Sequence, residues 1–534
     1  VKPWVHNPMN EAATHTTQAG TFQPIGALLQ HYAWVHPNKI ALVDVDNGQR
    51  LSFKALRQAV EQSALALKRT GLQPQEKVVL TGDNSIAKVI LWLAIWRVGG
   101  VVCPLDPGFI RASLNTVVVA IKPALVLAGN THDHDPAPGT LPNSIRIISY
   151  WDTLDNGVVM LDAQTTISTS PPGTGTETSF PLNQAHDIAC ISCTSGTTGQ
   201  PKIVVYDHQA MWLNGLDSIA MLQLDSNDRM LEYRSLNWYS SQILSLMPFL
   251  QTGLTLHLAR RFSLRRFGQW IYTHQLTVSV GVPTIIQLLL KEPIAQHEKL
   301  LSSLRVITSS TAPLAIAHWK AFEQYYQRPL INLYGSTETG WISGNRIHDR
   351  KPGSVGRVLS SVQLSFAAQR PMPGDAPMLQ PFLVNTQKIA LGYLDPDGTL
   401  QPLRNQPFLM RDAAQLDTDG YLHVWGRTDD LIIRGGVKIS PAEVEAIVVG
   451  HPHIQDAAVI GMPDELYGMQ IVCFFVPYQH QATSTVDIVQ HCRQVLPLEK
   501  IPQHLIPLSR LPRNHRGKIL RSQLTSLARN LLKA

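Results

Sequence analysis

An apolar run, Asp187-Ile188-Ala189-Cys190-Ile191-Ser192-Cys193, leads straight into Thr194-Ser195-Gly196-Thr197-Thr198-Gly199-Gln200-Pro201-Lys202. The first half has the length and composition of a buried strand, and the second has those of a loop leaving it. Glycine-spaced hydroxyls and free backbone N–H groups at the end of a strand make a concave donor surface suited to phosphate oxygens. No Gly-Lys-Ser/Thr closes the loop, so it is not a Walker loop. A flexible Ser/Thr/Gly linker is the competing reading of the composition.

Helical and strand-like patterns alternate through the first four-fifths of the chain. Apolar residues recur at helical spacing over 56–67 and 86–96, with a short strand at 77–80 between them. Such βα alternation predicts stacked α/β layers with mixed, largely parallel sheets. Residues 129–144 and 164–186 are rich in Pro, Gly, Ser and Thr and read as surface loops. Gly426-Arg427-Thr428-Asp429-Asp430 is a short polar segment between expected strands at 421–425 and 431–434. Beyond it come a helix at 441–449, strands at 456–460 and 471–476, and a helix at 485–495, enough for a small α+β domain. The expected division is therefore 1–428 and 429–534.

Composition narrows the class further. With 534 residues the chain can bury two or more cores, and 44% hydrophobic with 16% charged residues suits a globular enzyme. The longest apolar stretch, Val89 to Cys103, is too short to span a bilayer and carries Arg97. No basic-then-apolar leader opens the chain, so no signal peptide is expected. The net charge of +6 is mild and its cations are scattered without interleaved aromatics, which argues against nucleic acid and suits small anionic partners. Five cysteines, few and odd in number, predict a reduced cytoplasmic chain. Cys190 and Cys193 form a lone C-x-x-C, and His132-Asp133-His134-Asp135 lies in a Pro/Gly/Asn-rich loop; neither has the second ligand pair of a metal site.

The loop TSGTTGQPK resembles the signature of the adenylate-forming superfamily: acyl- and aryl-CoA synthetases, luciferases and the adenylation domains of peptide synthetases. Further matches follow in order: LSFKAL at 51–56, RVGGVVCPLDP at 97–107, LYGSTETG at 333–340, the block 412–445, and PRNHRGKILR at 512–521. They are spread over nearly the whole chain. The resemblance implies a large N-terminal adenylation core and a small mobile C-terminal domain. It also implies a two-step reaction: a carboxylate attacks the α-phosphorus of ATP, releasing pyrophosphate, and a thiol then attacks the acyl carbon, releasing AMP.

Roles follow by resemblance. Thr194, Ser195, Gly196, Thr197, Thr198 and Gly199 would hold the β- and γ-phosphates, with Lys202 closing the loop or simply lying at the surface. Glu338 would hold Mg²⁺, for which a hard oxygen ligand is suited, and Thr337 would contact the α-phosphate. Tyr334 and Gly335 would pack at adenine, and Asn332 would read its exocyclic amine. Asp412, fifteen residues before Arg427, would take both ribose hydroxyls beside that arginine; a carboxylate can accept from a vicinal diol. Met410-Arg411 replaces the usual Thr-Gly before it, predicting a bulkier turn there. Lys518 would offer its ammonium to the carboxylate and the α-phosphate in the first step. Asp429 matches the hinge, and Gly435-Gly436 would line a tunnel for a pantetheine arm, a plain hairpin turn being the alternative.

The acyl pocket would be lined by Trp238, Tyr239, Ser240 and Trp341, with Ser309-Ser310-Thr311 standing where Gly-Gly-Ala is usual. Trp238 is the expected gate; core packing competes as a role for both tryptophans. Ser240 occupies the place of the Asp that binds an α-ammonium in amino-acid activators, and a buried ammonium without a carboxylate is costly. A compact aryl or short acyl acid is therefore expected. The acceptor is coenzyme A or the phosphopantetheine of a separate carrier protein, with CoA favoured. A non-catalytic nucleotide-binding protein is the contrasting class, and it would have no need of Lys518.

Overall fold

The computed structural model describes residues 5–6, 21–106, 117–129, 146–155, 158–161, 180–194, 202–366, 380–478, 483–513 and 518–532. Among the described residues, two nine-stranded sheets and a five-stranded sheet make up the large part. In the first sheet, Val101–Leu105, Lys77–Thr81, Leu125–Gly129 and Arg146–Asp155 run parallel. Val101–Leu105 and Leu125–Gly129 are buried throughout, as parallel strands covered on both faces must be. Ile188–Thr194 joins them and pairs antiparallel with Lys202–Asp207, Thr194 lying opposite Lys202. The two ends of the glycine-rich loop are thus held side by side; residues 195–201, with Ser195, Gly196, Thr197, Thr198 and Gly199, lie outside the described residues.

The second sheet carries a parallel run from Ile40–Asp44 through Thr255–Leu258, Arg229–Glu232, Val278–Ser279 and Val306–Ser309 to Leu330–Ser336. Gly340–Gly344 then turns back antiparallel on the last of these. Helix Phe53–Arg69 begins at Ser52, whose hydroxyl accepts the Ala55 N–H, and buries Phe53, Leu56, Val60, Ala64 and Leu67. Helix Ile86–Arg97 is capped by Ser85 and buried on every side from Ile86 to Trp96, the signature of a helix enclosed in a large core.

The third sheet is antiparallel, and its strand Phe408–Leu416 runs through Met410, Arg411 and Asp412. The bulkier turn expected before Asp412 is absent. Met410 is buried and Arg411 exposed, so the two larger side chains simply take opposite faces of a strand. The strands on either side of Asp429 also differ from expectation by one or two residues, spanning Leu422–Arg427 and Ile432–Arg434 around a single 3₁₀ turn, Thr428–Asp430.

Beyond that turn stand a hairpin, Ile432–Arg434 with Val437–Ile439, and a sheet of Ile454–Asp464, Gly468–Pro477 and His504–Pro507. Helices Pro441–Val449 and Thr485–Arg493 cover one face of this sheet with Ile454, Ile471 and Phe475, while Arg521–Leu532 covers the other with Ala458, Phe474 and Leu524. The core of the large part ends at Leu422, and that of the small part begins at Ile432.

Cys190 and Cys193 are free and buried in separate cores on the two sides of their strand, which rules out a disulfide or a shared metal. His132–Asp135 lies outside the described residues. Among the described residues no helix is long and apolar enough to cross a membrane.

Candidate active site

The strand Leu330–Ser336, the turn 337–339 and the returning strand Gly340–Gly344 bring Asn332, Tyr334, Gly335, Thr337 and Glu338 together. Two glycines make this close return feasible. A Cβ on Gly335 would stand 2.1 Å from the Gly340 carbonyl oxygen, and one on Gly340, at φ +67°, 1.9 Å from Asn214 Oδ1. Asn332 is buried; its amide N–H donates to the Ser354 carbonyl at 3.2 Å, and its Oδ1 is a buried acceptor with no partner. A buried unpaired acceptor is costly unless a donor arrives, and an exocyclic amine is such a donor.

Tyr334 donates its hydroxyl to Asp412 Oδ2, and Asp412 lies in register with Arg427 on the adjoining strand. Burial raises the Asp412 carboxyl above its ordinary range, opposed by the Tyr334 hydroxyl and by the charges of Arg427 and Lys518. Burial likewise pushes the Tyr334 phenol well up, with the Asp412 charge adding to it. Lys518 therefore sits within electrostatic reach of Asp412, although 106 positions separate them in sequence.

Glu338 accepts the Tyr393 hydroxyl at 2.7 Å, while Lys202 Nζ stands 3.9 Å from the same carboxylate and 4.9 Å from the centre of the Tyr393 ring. Thr194, at the end of its strand, is held opposite Lys202, so the loop's two ends converge near Glu338. The Thr337 carbonyl accepts the Tyr206 hydroxyl at 2.6 Å. Burial pushes the phenols of Tyr206 and Tyr393 well up, so both act as neutral donors. Neither tyrosine was singled out from sequence as a site residue. Tyr393 follows Gly392 on the strand Gly392–Leu394, and only its hydrogen bond to Glu338 shows its use.

Tyr239 stacks on Tyr206 at 3.9 Å with an interplanar angle of 8°. Asn214 donates to the Tyr239 hydroxyl at 3.2 Å and accepts the Trp341 N–H at 2.9 Å. The expected gate segment and the turn bearing Thr337 and Glu338 are thus one aromatic layer apart. Trp238 and Ser240 are half-buried, and a π-helical turn, Gln242–Leu246, follows them, a feature frequent at functional sites. Trp341 is buried, with its indole N–H donated to Ser218 Oγ at 2.9 Å. Ser309 and Ser310 are turned fully inward rather than lining an open pocket: Ser309 is in register with Asn332, and Ser310 accepts Arg234 Nη1 at 3.3 Å. Thr311 alone of the three is exposed, held at φ +73°.

Asp429 is exposed in the 3₁₀ turn, 3.3 Å from Arg427 Nη2 and 3.8 Å from Arg411 Nη1. Gly435 and Gly436, at φ +56° and +83°, form the two-residue turn of the hairpin, and no atom comes within 4 Å of a Cβ on Gly436. The Gly435 N–H donates to the Tyr467 carbonyl at 2.9 Å, and Arg434 lies over the Tyr467 ring at 4.4 Å.

The family model of AMP-binding enzymes matches residues 29–375, and that of the AMP-binding enzyme C-terminal domain matches 443–518. The chain belongs to the AMP-binding enzyme family. It is 28% identical over 508 residues to an oxalate–CoA ligase of Arabidopsis thaliana, covering 93% of this chain and 97% of that one. Its identity to a 2-succinylbenzoate–CoA ligase of Geobacillus sp. (strain WCH70) is 27% over 519 residues, covering 94% and 97%. The fold of this AMP-binding enzyme matches the crystal structure of an anthranilate CoA ligase in complex with anthranoyl-AMP, with a TM-score of 0.83, 23% identity, and coverage of 96% and 98%.

Proposed function

We propose that this AMP-binding enzyme activates a compact carboxylic acid lacking an α-amino group and transfers it to coenzyme A. The chain is an AMP-forming acid–thiol ligase. What supports the reading is that Asp412, bonded to Tyr334 two residues from the unpaired buried acceptor of Asn332, lies within electrostatic reach of both Glu338 and Lys518. Relatives named for oxalate, 2-succinylbenzoate and sulfoacetate act on small acids, which supports a compact substrate. Ser240, without a carboxylate, disfavours an α-ammonium.

In the first half-reaction Asn332 Oδ1 would accept from the adenine amine, with Tyr334 against the ring and Gly335 giving it room. Asp412 would accept from the ribose hydroxyls beside Arg427. Thr194, Ser195, Gly196, Thr197, Thr198, Gly199 and Lys202 would hold the β- and γ-phosphates, and Thr337 the α-phosphate. Glu338 would hold Mg²⁺, oriented by the Tyr393 hydroxyl; bound there, the ion would neutralise charge on the phosphate oxygens. Lys518 would stabilise charge as the substrate carboxylate attacks the α-phosphorus and pyrophosphate leaves.

In the second half-reaction the domain 429–534 would rotate about Asp429 relative to 1–428, removing Lys518 and presenting Gly435-Gly436 to the pantetheine arm. The thiol would then attack the acyl carbon, with AMP leaving. Five free cysteines suit a reducing, cytoplasmic setting. The test is acid-dependent pyrophosphate release over aryl, short-chain, dicarboxylic, long-chain and α-amino acids, followed by thioester formation with CoA or a phosphopantetheinylated carrier protein. The proposal expects a compact acid and CoA to give the highest kcat/KM. Preference for an α-amino acid or for a carrier would overturn it.

A further inference from the structure

The half-buried indole of Trp238 is tied to a carboxylate from another layer of the fold. Asp106 stands just past the carboxyl end of the buried parallel strand Val101–Leu105, the end at which such sheets place functional groups. Its Oδ2 accepts the Trp238 indole N–H at 3.2 Å, and its Oδ1 accepts Asn237 Nδ2 at 2.8 Å and the Ser235 hydroxyl at 3.0 Å. Asn237 is itself locked. Its Oδ1 accepts the ammonium of the fully buried Lys88 at 2.7 Å, and Lys88 also donates to the Gly82 carbonyl at 2.6 Å. An ammonium can only donate, so the Asn237 carbonyl oxygen must face Lys88 and its NH₂ must face Asp106. Asn84 holds the same segment from the side, accepting the Leu236 N–H at 2.9 Å and donating to the Arg234 carbonyl at 2.7 Å.

An indole that is not fully packed can flip about its second side-chain torsion at little cost. A charge-assisted hydrogen bond to its N–H selects one orientation. The segment so fixed is the one that Tyr239, stacked on Tyr206, links to the Thr337 carbonyl. A shift of Trp238 would therefore occur beside the reacting end of an acid.

We propose that Asp106 is a positioning residue for Trp238, and that this carboxylate holds the indole as the wall limiting which acids fit. The proposal rests on the reading of Trp238 as the acyl-pocket gate. Asp106→Asn keeps the shape but supplies one acceptor in place of two and turns an NH₂ against a donor. Trp238→Phe approaches the same bond from the other side, keeping a ring and removing the N–H.

The experiment measures acid-dependent pyrophosphate release by the full-length enzyme and takes the ratio of kcat/KM for a longer acid to that for the preferred compact acid. Each single variant should raise this ratio about tenfold, chiefly through KM. The double variant should go no further, because both remove one bond. Trp238→Gly, which removes the wall itself, should raise the ratio more. If Trp238→Gly moves the ratio and Trp238→Phe does not, the tether is wrong and the gate stands, whether or not Asp106→Asn folds. Multiplying effects in the double variant would equally overturn the tether. If even Trp238→Gly leaves the ratio unchanged, the gate reading falls and the proposal with it.

Discussion

Tyr334→Phe tests the electrostatics of the proposed ribose site in isolation. The phenol donates to Asp412, whose carboxyl burial raises and which the Tyr334 hydroxyl, Arg427 and Lys518 hold down. Removing the hydroxyl keeps an aromatic ring for adenine and withdraws one donor from the ionised form. A hydrogen bond to a charged group is worth about 1.5–3 kcal/mol, and one pKa unit corresponds to about 1.4 kcal/mol. Asp412 is half-buried, so the lower end of that range applies and the carboxyl should rise further. Binding of a diol by two accepted hydrogen bonds needs the carboxylate. The acid limb of the pH profile of KM for ATP should therefore move up by about one pH unit, with little change on the alkaline side. The assay is pyrophosphate release at varied ATP across the pH range. An acid limb that stays in place, or moves down, would refute this account of Asp412.

Asp429→Pro fixes φ and removes an N–H in the turn between the two parts; pyrophosphate release should persist while thioester formation is lost, and wild-type acyl transfer would show that the pivot lies elsewhere. Trp341→Leu should widen the range of acids accepted, and should cost about 2–4 kcal/mol in denaturant titrations, because a buried indole and its bond to Ser218 are lost. Lys88, fully buried, has its pKa lowered from 10.5 to about 8 by desolvation. Between those values the unfolded chain binds a proton that the folded chain has released. Wild-type stability relative to Lys88→Met should accordingly rise with pH across that window, by up to about 3 kcal/mol, and a flat difference would contradict the burial of a charged Lys88 at neutral pH.

Much of the fold was legible because its signals are local. Helix Pro441–Val449 has the bounds that its apolar spacing predicts, whereas Phe53–Arg69 extends past its own back to the serine cap at Ser52 and Ile86–Arg97 starts where expected, after Ser85, and runs one residue longer. Strands Ile454–Asp464 and Gly468–Pro477 outrun the expected 456–460 and 471–476, since antiparallel pairing carries the ladder through polar residues such as Asp464 and Gln470. Arg411 misled because a missing glycine suggested a distorted turn, where a strand accepts any residue that can point outward. In the site, Asn332, Asp412, Glu338 and Lys518 were readable as motif members. Asp106 lies in the motif at 97–107, but its contact with Trp238, like those of Tyr393 with Glu338 and Tyr206 with Thr337, spans 55 or more positions and could not be read from the sequence.

The central claim is that one site runs two reactions and that Lys518 serves only the first. Lys518→Ala, assayed separately for acid-dependent pyrophosphate release and for thioester formation from supplied acyl-adenylate and CoA, tests it most directly. Loss of a transition-state cation worth about 4 kcal/mol predicts a fall of roughly a thousandfold in the first assay, with the second close to wild type. Equal losses in both assays would contradict the claim.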